Sequence, residues 1–332
     1  MSKGLRRLGA TFLILILLAG FGAWQAVRLY RAPGPLAAPA QVLVPRGGTE
    51  AIATALLRAG VIADGRSFTA AAWATRGQGA AHAAEFVFPA GASLEQVLDI
   101  LRTAKPVQRR LTIPEGLSAR QIVALLGQTE GLLGEAVVPE EGAILPETYA
   151  YQWGDDRAAL LRRAQAAMAQ ALSAIWAERA EGLPLASPRE ALVLASIVER
   201  ETALPEERPR IAAVFLNRLK RGMPLQSDPT VAYAATAGAP LDRPLSKADL
   251  DRDHPFNTYR IRGLPPGPIG APGREALRAV TRPAAEEALY FVADGSGGHS
   301  FAKTLEEHNR NVARWREVER RRAESGTPPI SR

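Results

Sequence analysis

Two carboxylates, Glu199 and Glu201, stand with Arg200 at the end of an otherwise apolar stretch, and they are the groups best placed to move a proton. A carboxyl carried into a protein interior is costly unless it is paired or used. Burial raises its pKa, so it can give a proton to a leaving group near neutral pH. The spacing alone does not choose between Glu199 and Glu201. The plain alternative is a helix that surfaces at its end, with both carboxylates solvated.

Further polar groups follow. Asn217 lies on the next helical stretch, Gln226, Ser227 and Asp228 come from MPLQSDPT, Asn257 and Tyr259 from FNTYRIRGLPPGPIG, and His299 and Ser300 from GSGGHSF. Amides and aromatics of this kind read sugar hydroxyls and acetamido groups. Each also has an ordinary explanation. Asp228 before Pro229 suits a turn or cap, Asn257 an Asx-turn, and His299 the closing of a glycine loop. His82, His254, His299 and His308 are dispersed without ligand spacing, so no metal is expected. No phosphate loop, dinucleotide fingerprint or nucleophile elbow is present, and no cofactor is expected. Carboxylate acid–base chemistry is the enzyme reading left.

The elements that must carry these groups are legible. Ser187 can cap a helix, Pro188 suits its first position, and Glu190 fits a capping box. Ala191, Leu192, Val193, Leu194, Ala195, Ile197 and Val198 then make the segment apolar nearly all round, as in a buried helix. A long amphipathic helix is expected over 155–182 and another over 209–221, stopped by Gly222. Residues 223–273 read as long Pro/Gly loops, broken by a short helix at 246–250. A strand is expected at 289–293, with helices at 274–280 and 303–323.

Upstream, three segments share apolar residues, Pro-x-Gly-x-Ser/Thr, then a helical pattern. They centre on Pro45, Gly47 and Thr49; on Pro89, Gly91 and Ser93; and on Pro114, Gly116 and Ser118. Each reads as a strand, a turn and a capped helix, with Gln96 and Gln121 at capping-box positions. Such units suit a LysM-like binding module or a mere packing unit. An Ala-rich helix is expected over 68–84, and a loop with a short extended piece over 141–151.

The chain has 332 residues, 47% hydrophobic and 23% charged, with a formal net charge of +7. That charge suits an anionic partner, but the basic residues are scattered and no nucleic-acid signature appears. There is no cysteine, which excludes disulfides and thiol chemistry. Residues 8–27 carry no formal charge and are long enough to span a membrane. The length of the span and the lack of a clean small-x-small site favour an uncleaved anchor over its rival, a cleaved signal peptide, and Lys3, Arg6 and Arg7 before it favour an N-terminus held inside with the bulk of the chain exported. Pro33, Pro35 and Pro39 follow as a stiff spacer.

LASIVERET, FLNRL, GMPLQSDPTVAY, FNTYRIRGLPPGPIGAPG, YFVADGSGGHSF and HNRNV, in this order, resemble the endolytic murein transglycosylases of the MltG/YceG-like family. The similarity runs over essentially residues 8–320; EGAILPETY departs from it in carrying Ala143 and Ile144. The resemblance implies a membrane-anchored enzyme that cuts nascent peptidoglycan strands internally, with Glu199 as the catalytic acid. It implies that Asn217, Gln226, Asp228, Asn257, Tyr259 and His299 orient the sugars. Peptidoglycan synthases are candidate partners, and the inner membrane, with the catalytic domain outside, is the expected location. The expected class is α+β: a cytoplasmic tail (1–7), an anchor (8–28), a linker (29–40), a LysM-like module (41–107), a mainly helical catalytic domain (108–323) and a flexible tail (324–332). The rivals are a non-catalytic cell-wall binding protein and a hydrolytic muramidase using Asp228 or Glu201 as a second carboxylate.

Overall fold

Helices and short two-stranded ladders alternate in a computed structural model that describes residues 3–324, so the expected tail lies outside the described residues from 325 onward. The chain divides into two units, one of residues up to 109 with 150–154, the other of 110–149 with 155–324.

The first unit opens with α1 (Lys3–Arg31), whose Thr11–Arg31 stretch has a mean hydropathy of 1.9 and is long and apolar enough to cross a membrane. β1 (Ala40–Leu43) leads to α2 (Thr49–Arg58) and α3 (Gly65–Ala74); β2 (Glu85–Phe88) leads to α4 (Leu94–Thr103). β1 and β2 pair antiparallel, with Ala40 opposite Phe88 and Leu43 opposite Glu85. Their inward residues Val42, Phe86 and Phe88 bury against Leu56, Phe68 and Leu98. Each such side chain contributes about 1.5–3 kcal/mol by leaving water. Ser93 caps α4 in a full capping box with Gln96, as its spacing implies. Thr49 does not cap α2. The helix begins at that residue, and Gly48 precedes it without a side-chain hydrogen bond. The Ala-rich helix is shorter than expected. α3 stops at Ala74, where Gly77 and Gly79 interrupt the pattern, and Gly79 adopts φ +115°.

The chain enters the second unit along β3 (Arg109–Thr112), then forms α5 (Ala119–Gln128), β4 (Thr148–Tyr151) and α6 (Arg157–Ala177). β3 pairs with β4, and the Thr112 and Thr148 hydroxyls lie 2.9 Å apart. Ser118 and Gln121 form the second full capping box, on α5. α7 (Pro188–Glu201) and α8 (Arg208–Lys220) follow, then α9 (Asp228–Thr236), α10 (Lys247–Asp251) and α11 (Arg274–Thr281). β5 (Tyr290–Ala293), β6 (His299–Ala302) and α12 (Leu305–Glu324) complete the unit.

α7 is the axis of this unit and packs against α6, α8, α9 and α11. Its Leu194, Ala195, Ile197 and Val198 are fully enclosed with Ile211, Phe215 and Leu277. Ser187 accepts from the Glu190 N–H, but Glu190 reaches back to Ala186, one residue earlier than a capping box requires. Two elements depart from the sequence expectation. Asp228–Pro229 opens helix α9 instead of a loop, because proline without an N–H suits the first turn. The glycine-rich stretch after β5 is the turn of a hairpin, with Ala293 opposite His299.

Candidate active site

α7 ends by delivering Glu199 to the interior, where its side chain is 2% exposed. Oε1 accepts from Arg208 Nη2 at 2.7 Å, and Oε2 accepts the Gly273 N–H at 2.8 Å. Arg208 is the first residue of α8. Burial pushes the Glu199 carboxyl up to about 7; the Gly273 N–H and Arg208 draw it back, and Glu115 adds to the rise. Near neutral pH both its protonated and ionised forms are populated, which is what a group that gives and then regains a proton needs.

The same Arg208 Nη2 lies 3.0 Å from Glu115 Oε2. Glu115 sits in the Pro-x-Gly turn between β3 and α5. That turn is stitched to the segment before α11: Gly116 N–H donates to Ala271 at 2.9 Å, and Ala271 N–H donates to Leu117 at 2.8 Å. The close approach requires glycine at 273, where a Cβ would fall 1.7 Å from Glu115 Oε1.

A cleft of about 330 Å³ opens beside the end of α7, with Glu199, Glu201, Thr202, Gly298, His299 and Trp315 in its wall. His299 is fixed by Glu207, which accepts its backbone N–H at 2.7 Å and lies 2.6 Å from Nδ1. The contact at Nδ1 fixes the orientation of the imidazole ring in the cleft wall. Burial pushes the Glu201 carboxyl up to about 7 as well, with the Asp228 charge adding to it.

Asp228, at the head of α9, accepts a 2.7 Å hydrogen bond from the Tyr259 hydroxyl. Burial and that carboxylate raise the Tyr259 pKa. Gln226 holds a left-handed backbone, φ +52°, and its N–H donates to Thr258. The two asparagines are committed to the backbone. Asn217 donates to the carbonyls of Glu286 and Ala288. Asn257, fully buried, donates to Leu250 and Arg252 and accepts from the Tyr259 N–H. Glu199 and His299 are thus brought into one cleft, while Asn217 and Asn257 tie down loops. Asn257→Ala strands these buried partners and should cost about 2 kcal/mol. A thermal melt checks this, and an unchanged Tm would contradict it.

Glu115, Arg208, Glu207 and Gly273 are site residues that sequence reasoning passed over. Glu115 alone left a signal, since it fills the variable position of a Pro-x-Gly turn that holds Arg46 and Ala90 in the other two copies.

Residues 42–314 match the YceG-like family. A protein of Bacillus subtilis (strain 168) named endolytic murein transglycosylase is 41% identical over 173 residues, 52% of this chain and 47% of that protein. A protein of the same name in Streptococcus pneumoniae serotype 2 is 32% identical over 253 residues, 63% of this chain and 45% of that one. The chain therefore spans about half the length of these curated relatives. The crystal structure of a yceG-like protein from Listeria monocytogenes superposes with a TM-score of 0.51 at 26% identity, over 82% of this chain and 98% of that one. The family match covers most of the chain and takes in Glu115, Glu199, Arg208 and His299; the chain belongs to the YceG-like family.

Proposed function

We propose that this chain is a membrane-anchored endolytic lytic transglycosylase. It cuts the bond between N-acetylmuramic acid and N-acetylglucosamine inside nascent peptidoglycan strands and leaves 1,6-anhydro ends, so limiting strand length. The observation that carries this reading is the buried Glu199 carboxyl, held by Arg208 and the Gly273 N–H and raised to about 7 at the wall of a cleft, while Glu201, raised likewise, faces Ser227 and Asp228. The names of the curated relatives support the substrate class.

Most glycosidases place two carboxylates across the scissile bond, one for the leaving group and one for water or the sugar. A lytic transglycosylase needs no water. Protonated Glu199 gives its proton to the glycosidic oxygen as the bond to C1 breaks. The Glu199 carboxylate then takes the proton of the muramoyl C6 hydroxyl, whose oxygen bonds to C1. The proton count closes, and Glu199 returns to its starting form. His299 and the Asp228–Tyr259 pair orient the sugars, with Gln226 beside them. Asn217 and Asn257 serve by fixing the loops.

In this reading residues 8–28 are the anchor, 1–7 the cytoplasmic tail and 29–40 the linker. Residues 41–107 form the LysM-like module and 108–323 the catalytic domain. The apolar stretch of α1 and the preceding Lys3, Arg6 and Arg7 support a single pass with the catalytic domain outside. Peptidoglycan synthases are the natural partners of an enzyme acting on nascent strands. The test is the length distribution of uncrosslinked glycan strands incubated with the full chain in detergent. Internal fragments of intermediate length are expected; release of single disaccharides from strand ends, or no cleavage, would contradict the reading.

A further inference from the structure

Glu115 is half-exposed, yet its surroundings hold it in one place. Its turn is bonded to the segment ending at Gly273, and its carboxylate covers the Gly273 Cα so closely that no Cβ fits. It shares one guanidinium nitrogen with Glu199, at 3.0 Å against 2.7 Å. One cation therefore serves two carboxylates, and the trio carries a surplus negative charge unless one carboxyl is protonated. Two carboxylates around one site cannot both ionise freely.

We propose, resting on the transglycosylase reading, that Glu115 is a positioning residue that keeps the proton on Glu199 by competing with it for Arg208. Without Glu115, Arg208 pairs with Glu199 alone and favours its ionised form, so the acid is lost at lower pH. With Glu115 in place, the protonated acid persists to neutrality. Glu115 acts through Arg208 and also directly, by its own charge and side-chain hydrogen bond, on the Glu199 carboxyl, and it need not touch the glycan.

The other charged groups near Glu199 have partners of their own. On α7, Arg200 donates to the Ile269 carbonyl. Glu201 faces Ser227, Asp228 and Arg218. Arg274, at the head of α11, binds Glu147, and Asp228, at the head of α9, holds Tyr259. Across the cleft His299 is held by Glu207. The buried face of α6 is apolar. Arg208 and Glu115 are the charges that act on the Glu199 carboxyl.

The test is the pH profile of kcat/KM on glycan strands for the full chain, Glu115→Gln and Glu115→Asp. The Glu115 side chain is 41% exposed, so Gln, of the same shape, is accommodated. In Glu115→Gln the alkaline limb moves down by about one pH unit, so the rate falls roughly tenfold on the alkaline side and little on the acidic side. Glu115→Asp keeps the charge and keeps the limb near its original place. A limb that does not move, or a loss equal at every pH, overturns the proposal. A carboxyl-carbon NMR titration of Glu199, assigned by its loss in Glu199→Gln, reads the same shift without turnover. If the unmodified chain cleaves nothing, the transglycosylase reading fails while the titration still decides the role of Glu115.

Discussion

Glu199→Gln lowers the rate of glycan cleavage by about a thousandfold or more, in line with removal of a general acid. Glutamine has the same shape and its amide oxygen can accept from Gly273 N–H or Arg208, but it has no proton to give. The loss falls on kcat, because sugar contacts elsewhere in the cleft survive. A variant keeping a tenth of the activity would place the acid on another residue, with Glu201 next in line. Stability supplies a second readout. Glu199 has a folded-state pKa of about 7, above its ordinary 4.5. The folded state holds the proton more tightly, so this group favours folding below the lower value and loses that contribution as pH rises from 4.5 to about 7. Glutamine has no such cost. The Tm of the variant relative to the parent must rise with pH across that window; a difference that falls would contradict the raised pKa.

Arg208→Met should produce the largest loss of stability in the site. Arg208 is 8% exposed and is the cation for both Glu199 and Glu115. Breaking a buried ion pair leaves an uncompensated charge and costs about 3–5 kcal/mol. The cost grows as pH rises past about 7 and Glu199 gives up its proton. Below that the protonated Glu199 carboxyl needs no counter-charge, and the deficit shrinks. At about 2–4 °C per kcal/mol for a domain of this size, the Tm falls by roughly 6 °C or more at alkaline pH. Calorimetry at acidic and at alkaline pH checks it. A deficit independent of pH would mean that Arg208 acts by packing alone.

How much of this was legible in the sequence follows from where the forces lie. Helices α6, α7, α8 and α11 come from apolar periodicity, and α4 and α5 from serine and glutamine at capping spacing, all of them local signals. α9 and β6 fall in stretches that read as loops because proline and glycine serve helix starts and tight turns equally well, whereas β5 matches the strand expected at 289–293. The apolar run before Glu199 fits a buried carboxyl and a helix surfacing at its end alike, and the choice of Glu199 over Glu201 comes from family resemblance alone. Its partners were not readable. Arg208 lies nine residues away, and Glu115 and Gly273 lie far off in the chain. No local pattern announces contacts made by tertiary packing. Asn217 and Asn257 show the converse: polar residues in loops that look like ligand readers, held instead by backbone carbonyls.

The most direct test of the account is mass spectrometry of glycan fragments made by the full chain in heavy-oxygen water, beside Glu199→Gln. Transglycosylation through Glu199 predicts internal fragments ending in 1,6-anhydro-muramoyl residues, with no heavy oxygen in them and none formed by the variant. Fragments that carry heavy oxygen at a reducing end would contradict it, and would make the site a hydrolase with a second working carboxylate.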